Sequence, residues 1–166
     1  MFSTEDYLAA IDKDAALQLL NNGSESAALE TVAQPLHEAL YERQTFDFLA
    51  ELPTALRIVL TYDYVQSQVG QGGFIQLIQN GYVPLMAAAI EGLQELKWAP
   101  EMMQVLDDAL KVYVLNHEVL GKDHSVKDFA KLYDEFQEFE PLEERFIALN
   151  KETIREIITH VFTALS

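Results

Sequence analysis

The stretch Ala55-Leu56-Arg57-Ile58-Val59-Leu60 is apolar on nearly all sides of a helix. Such a helix is typically surrounded by other helices, so we expect it at the centre of the fold. Around it, apolar residues recur at helical spacing almost everywhere, and no convincing run alternates as a β-strand does. The chain of 166 residues fits one domain of ordinary size. The sequence therefore predicts an all-α fold, a single compact domain of about seven to nine helices over residues 1–166.

On the N-terminal side, Ser3 with Asp6 forms a capping box that predicts a first helix ending at the turn Asn21-Asn22-Gly23. The apolar face of this helix is Leu8, Ile11, Ala15 and Leu19. A second helix follows, and its apolar positions are Leu29, Val32, Leu36 and Leu40. Pro35 either kinks that second helix or begins a new one, and the pattern does not choose between them.

On the C-terminal side, Gly70-Gln71-Gly72-Gly73 should break the central helix, because three glycines in four positions do not make a stable helix interior. A short helix from Phe74 to Asn80 follows, and Gly81 closes it. Proline at the first position then predicts two helices, over 84–96 and from residue 100 to 117 or 120. A second capping box, Ser125 with Asp128, precedes another helix. The final amphipathic helix is marked by Ile154, Ile157, Ile158, Val161 and Leu165.

The composition excludes several kinds of chemistry. The chain has no cysteine, so disulfides, thiolate catalysis and Cys-ligated zinc are ruled out. Its acidic first residues lack the pattern of a signal peptide, and no uncharged apolar run approaches the ~18 residues that a membrane span requires. We therefore expect a cytoplasmic protein that contacts no membrane and carries no cofactor.

The charge is the strongest compositional feature. There are 27 Asp and Glu against 11 Lys and Arg, and the formal net charge is −16. Residues 1–52 hold ten acids and two bases, residues 53–100 three and two, and residues 101–166 fourteen and seven. A nearly neutral, apolar middle is thus flanked by two acidic ends. A folded form would attract basic partners and repel nucleic acid.

The glycine cluster and the four histidines are the obvious places to look for a ligand site. A glycine-rich loop before a helix can bind phosphate, but Phe-Ile follows these glycines where a Walker loop has Lys-Ser or Lys-Thr. A tight turn with Phe74 in the core is the favoured interpretation. No two histidines stand four apart as metal ligands on one helix face, and no Gly-x-Ser-x-Gly elbow is present. The sequence predicts neither a metal site nor catalytic residues.

A segment near the C-terminus concentrates the negative charge. Six carboxylates fall within eleven residues without a base, and Phe136, Phe139 and Leu142 are interleaved and should point inward. The six are Asp134, Glu135, Glu138, Glu140, Glu143 and Glu144. Residues four apart on a helix are separated by roughly 6 Å, whereas duplex DNA carries one charge per ~1.7 Å of axis. Imitation of DNA would therefore need several acidic helix edges side by side, from both ends of this chain or from two copies of it. The alternative is that these acids only maintain solubility.

One stretch resembles a known family. The residues Gln71-Gly72-Gly73-Phe74, with Gln76 and Asn80-Gly81, resemble the Asn-Gly-Gly-Phe signature of a bacterial family typified by a small acidic DNA-mimic protein. Gln71 stands where that family has Asn. The segments 142–149 and 152–161 look like the family's C-terminal end, so the similarity covers about residues 40–165. On this basis residues 1–40 are an N-terminal helical extension and residues 41–166 a family-like core.

The resemblance implies a function as well as a fold. It implies a non-enzymatic protein of transcription regulation, whose carboxylates occupy the DNA-binding surface of a basic transcription factor or nucleoid protein. The six acids above are then the candidate partner-binding residues, and Gly72, Gly73, Phe74 and Asn80 are a structural motif. Homodimer formation is left open. The alternatives are an immunity-type protein that binds a basic toxin, a helical domain without mimicry, and a small-ligand protein or enzyme that uses the glycine loop or the histidines.

Overall fold

The computed structural model describes residues 2–165, apart from the side chain of Val126. Within that range the chain forms nine α-helices and one 3-10 helix and no strand, which confirms the all-α prediction. The α-helices are α1 (Thr4–Ala10), α2 (Lys13–Asn21), α3 (Glu25–Arg43), α4 (Thr54–Gln79), α5 (Val83–Leu96), α6 (Pro100–Leu115), α7 (His117–Leu120), α8 (Val126–Glu135) and α9 (Phe139–Ala164). The 3-10 helix, Phe46–Glu51, lies between α3 and α4. None of these helices is both long enough and apolar enough to cross a membrane.

Helix α4 is the centre of the fold, as the apolar stretch 55–60 predicted. It packs against α3, α5 and α9, and Leu56, Ile58 and Leu60 are fully buried. Burial of each such side chain stabilises the fold by about 1.5–3 kcal/mol. Helix α5 approaches α4 most closely at Gly92, where a Cβ atom would lie 2.7 Å from Cγ1 of Ile58. Only glycine allows this close packing.

The N-terminal segment differs from the prediction. The first predicted helix is two helices, because the side chain of Asp12 accepts a hydrogen bond from the backbone N–H of Ala15 and so begins α2. The Ser3 cap on α1 is confirmed, and α2 ends at Asn21 as expected. Leu8, predicted for the apolar face, is 37% exposed. Tyr7 is buried instead, and its hydroxyl donates to the carbonyl of Val32 at 2.9 Å, which fixes α1 to α3.

Two proline-related predictions are also resolved. Pro35 lies inside the continuous helix α3, so it does not begin a new one. Pro100 does begin α6, but that helix ends at Leu115, short of the predicted 117 or 120. Asn116, with φ −122° and ψ 23°, separates it from the short helix α7. The final helix α9 begins at Phe139, well before the apolar positions that marked it.

Helices α2 and α3 share one core with the rest of the chain. Ala28, Leu29 and Leu36 of α3 are fully buried. Arg155 of α9 contacts Glu25 at the start of α3 through two N–H groups, at 3.1 and 2.9 Å. The pKa of Glu25 is lowered by its own backbone N–H and by Arg155.

Candidate functional site

The glycine cluster forms a kink in α4 that is smaller than predicted. Gly70 keeps helical structure, and the non-helical residues are Gly72 (φ −154°, ψ 18°) and Gly73 (φ 75°, ψ −172°). The backbone angles of Gly73 are accessible essentially only to glycine. A Cβ atom there would also lie 2.7 Å from Cδ of Glu143. The kink turns the last part of α4, which resumes at Phe74.

Two hydrogen bonds from distant parts of the chain hold this kink. The hydroxyl of Tyr133, on α8, donates to the carbonyl oxygen of Gly72 at 2.6 Å. The backbone N–H of Phe74 donates to Oε1 of Glu143, on α9, at 3.0 Å. We call this pair of hydrogen bonds the kink clamp. It ties α8 and the start of α9 to the central helix.

Aromatic packing reinforces the kink clamp from inside the core. The fully buried ring of Phe74 lies 5.9 Å from Phe139 and 6.0 Å, edge to face, from Phe146, measured between ring centroids. Aromatic pairs in such arrangements contribute about 0.5–1.5 kcal/mol beyond the area they bury. Phe74 is therefore the core residue that the tight-turn interpretation predicted.

Four exposed or half-exposed amide side chains bridge the outer side of the kink. Asn80 donates to Gln68 Oε1 at 2.8 Å, and Gln76 donates to Gln68 and Gln71 at 3.4 and 3.3 Å. A Cβ atom on Gly72 would lie 2.9 Å from Cβ of Gln76, so this position also excludes a side chain. Asn80 and Gln76, which follow the kink in the sequence, thus hydrogen-bond to residues that precede it. Gln68, which sequence analysis did not single out, is the shared acceptor.

The six predicted partner-binding acids lie where α8 meets α9. Asp134 and Glu135 end α8, Glu138 directly precedes α9, and the other three lie in the first turns of α9. We call residues 134–144 the acidic corner. Phe136 and Phe139 are buried and Leu142 is half-buried, as predicted for the interleaved apolar residues.

The carboxylates of the acidic corner are mostly free. Five are exposed: Asp134, Glu135, Glu138, Glu140 and Glu144. Within residues 2–165, none of the six forms an ion pair, whereas Arg155, Lys111 and Lys131 pair with acids elsewhere. Exposed, unpaired carboxylates keep their full charge available to a partner.

Glu143 differs from the other five. It is half-buried and accepts the Phe74 N–H in the kink clamp. Burial raises its pKa, the Phe74 N–H opposes that rise, and the nearby Glu140 adds to it. Burial also raises the pKa of Tyr133, with a further contribution from Glu143. The structure therefore brings the glycine motif and the acidic segment together through Glu143.

The same geometry bears on the phosphate-loop alternative. Free backbone N–H groups at a helix start favour an anion. Where the helix resumes after the kink, the Phe74 N–H already donates to the Glu143 carboxylate. An internal carboxylate thus takes the position that a phosphate would need.

The histidines do not converge on one site. His37 contacts Asp63 at 2.6 Å between Nε2 and Oδ2, and His160 stacks on Trp98 at 5.0 Å. His117 and His124 each lie within hydrogen-bond distance of a backbone carbonyl. Among the described residues, no group of three or more His, Asp or Glu is placed to hold a metal ion.

One polar cluster was missed at the sequence level. Asp63 and Gln66 are buried on α4, and Gln66 donates to Asp63 at 2.9 Å while it accepts from Ser26 of α3 at 3.0 Å. With His37 they form a network that joins α3 to α4. An isolated Asp within the apolar stretch after residue 60 was the available signal, because a buried carboxylate needs partners.

The fold and site thus define a class: a helical protein with a free carboxylate surface braced by a glycine kink. A family model described as DMP19-like protein matches residues 50–163, and the chain belongs to that family. The match contains α4 to α8 and nearly all of α9, and so includes the kink clamp and the acidic corner. Neither the curated proteins nor the solved structures searched gave a match.

This result corrects the sequence-based family resemblance. The expected family was one of DNA-mimic proteins with an Asn-Gly-Gly-Phe signature, covering about residues 40–165. The matching family is instead described only as DMP19-like protein, and the match begins at residue 50. Gly72 and Gly73 of the glycine signature build the kink, and a structural motif of this kind does not by itself specify a function.

Proposed function

We propose that this protein is a non-enzymatic interaction protein whose acidic corner occupies the DNA-binding surface of a basic protein, such as a transcription factor or nucleoid protein. The observation that carries the proposal is the set of five exposed carboxylates that have no ion pair among the described residues. A basic surface that normally binds DNA phosphates offers the complementary charge.

The geometry of the acidic corner favours this role over simple solubility. Its acids come from the end of one helix and the start of the next, so charge is collected from two helices. A single helix cannot match the charge density of a duplex, and a junction of helices raises that density. A homodimer that placed two corners together would raise it further.

The rigidity of the corner supports the proposal in a second way. The kink clamp holds α8 at Tyr133 and α9 at Glu143. A surface that is already ordered loses less conformational entropy on binding, so more of the charge interaction appears as affinity.

The test compares two variants that lose equal charge. The corner variant replaces the five exposed corner acids by their amides: Asp134→Asn, Glu135→Gln, Glu138→Gln, Glu140→Gln and Glu144→Gln. The control variant neutralises five exposed acids elsewhere whose side chains make no hydrogen bond or ion pair within residues 2–165: Glu5→Gln, Glu30→Gln, Glu91→Gln, Glu118→Gln and Glu152→Gln. Each protein is immobilised and used to capture proteins from a lysate.

We expect the corner variant to lose a basic, DNA-binding protein that the wild type and the control variant both retain. If both variants lose it equally, only net charge matters and the acidic corner is not the binding surface. If the captured protein is not a DNA-binding protein, the DNA-like role is wrong.

A further inference from the structure

A second candidate surface lies at the end of α3, far along the chain from the acidic corner. A groove of about 320 Å³ is lined there by four aromatic side chains: Tyr41, Phe46, Tyr64 and Tyr82. Tyr41 is 78% exposed and Phe46 is 44% exposed. Tyr64 and Tyr82 are stacked, with ring centroids 5.3 Å apart and an interplanar angle of 30°. Tyr41 and Phe46 therefore leave aromatic surface open to solvent at the groove.

The charge around the groove is negative. Residues 37–51 contain four acids and one arginine, and that arginine, Arg43, pairs with Glu51 and lies over the ring of Phe48. Glu42 and Asp47 are exposed and adjoin the lining residues Tyr41 and Phe46 in the sequence, and neither forms an ion pair within residues 2–165.

A buried carboxylate, that of Asp63, interacts electrostatically with the groove residue Tyr64. Asp63 precedes Tyr64, and burial, Tyr82 and Asp63 all raise the pKa of Tyr64. The ring of His37, which contacts Asp63, meets Tyr64 edge-on at 4.7 Å. The hydroxyl of Tyr64, like that of any tyrosine with an ordinary or raised pKa, is neutral at physiological pH, so its ring presents an uncharged π face.

We propose that this groove binds an arginine side chain of a basic protein. A guanidinium is planar and stacks on aromatic faces, and its attraction to the π system is reinforced by nearby carboxylates. The groove is independent of the acidic corner, because it is built from α3, the segment after it, α4 and the turn before α5. Arginine binding in the groove would add a specific contact to the charge-based binding at the separate acidic corner.

The experiment uses the full chain and a defined probe. The peptide acetyl-Gly-Arg-Gly-amide is titrated while the ring resonances of Tyr41, Tyr64 and Tyr82 are followed by NMR. The matched probe carries citrulline in place of arginine, which keeps the shape and removes the charge. We expect saturable shifts with the arginine peptide and none with the citrulline peptide. In Tyr41→Leu, the arginine peptide should bind roughly two- to fivefold more weakly, because one aromatic face is lost.

Tyr41 is largely exposed, so Tyr41→Leu should fold as the wild type does, and its unfolding midpoint verifies this. The corner variant should bind the arginine peptide as the wild type does, which separates this site from the proposed function. Equal shifts with citrulline, unchanged binding in Tyr41→Leu, or shifts that disappear only in the corner variant would overturn the proposal. Concentration-dependent shifts without peptide would show instead that the groove contacts a second copy of the chain.

Discussion

The backbone N–H of Phe74 donates a 3.0 Å hydrogen bond to the carboxylate of Glu143, which lies 69 residues further along the chain. Glu143 sits among the acids that form the exposed corner, yet its carboxylate is turned towards the kink in α4. One side chain thus couples the glycine motif to the acidic surface. The glycine motif therefore helps to position that surface.

Gly73→Ala should lower the free energy of unfolding more than most single substitutions in the chain. Gly70→Ala should raise it. Alanine at 73 would occupy a conformation that costs about 1–3 kcal/mol and would displace the Glu143 side chain. Gly70 is helical with open space around it, so alanine should stabilise the protein by about 0.5–1 kcal/mol. Urea unfolding of both variants checks this. Equal changes in the free energy of unfolding for the two variants would show that the fold does not require the kink.

Glu143→Gln should change how stability depends on pH. Because the pKa of Glu143 is raised in the fold, the folded protein binds this proton more tightly than the unfolded chain does. Its contribution to stability is therefore greatest below the ordinary pKa and is lost as pH rises through the raised value. The unfolding free energy of the wild type minus that of the variant should therefore fall as pH rises from below the ordinary pKa of glutamate through the raised pKa of Glu143.

The control for this measurement is Glu144→Gln, which removes the same charge from an exposed neighbour. A difference between wild type and Glu143→Gln that is constant or grows with pH would contradict the burial of Glu143. Glu143→Leu should cost more than Glu143→Gln, by about 1–3 kcal/mol, because it leaves the Phe74 N–H without an acceptor.

Tyr133→Phe should weaken the other half of the kink clamp. Loss of the hydrogen bond to Gly72 should cost about 1 kcal/mol. Tyr113→Phe is the matched control, since that hydroxyl makes no hydrogen bond within residues 2–165, and it should be nearly neutral. In a double-mutant cycle, Tyr133→Phe and Glu143→Leu should couple by at least about 0.5 kcal/mol, because each removes one hydrogen bond from the same kink. If the changes in unfolding free energy were simply additive, the two hydrogen bonds would be independent of each other.

The corner variant should remain as stable as the wild type to within about 1 kcal/mol. Removing five neighbouring negative charges relieves repulsion, while amides at the start of α9 lose a favourable interaction with the helix dipole, and the two effects offset each other. Thermal unfolding followed by circular dichroism measures this. A large loss of stability would mean that these acids support the fold instead of a partner.

Local signals in the sequence predicted the helices well. Ser3 and Ser125 cap helices because their hydroxyls accept nearby backbone N–H groups, and Pro100 begins α6 because the first helical position needs no N–H. Asp12 uses the same kind of signal, but the apolar spacing across it continued smoothly, so two helices were predicted as one.

The candidate site was less accessible from the sequence, for a physical reason. The acids of the corner are visible as a cluster, but the role of Glu143 depends on a contact with Phe74 that forms only after α9 packs on α4. Spacing along one helix carries no information about such a pair. For the same reason the aromatic groove was missed, since Tyr41 and Tyr82 meet only in the fold.

The most direct test of the account is competition between the acidic corner and DNA for one captured partner. The partner is bound to immobilised protein at low salt, and duplex DNA is then added in increasing amounts. We predict that DNA displaces the partner completely, that binding weakens steeply as salt is raised, and that the corner variant binds far more weakly than the control variant. A partner that holds the protein and DNA together, or that binds equally well at high ionic strength, would contradict the claim that the corner takes the place of DNA.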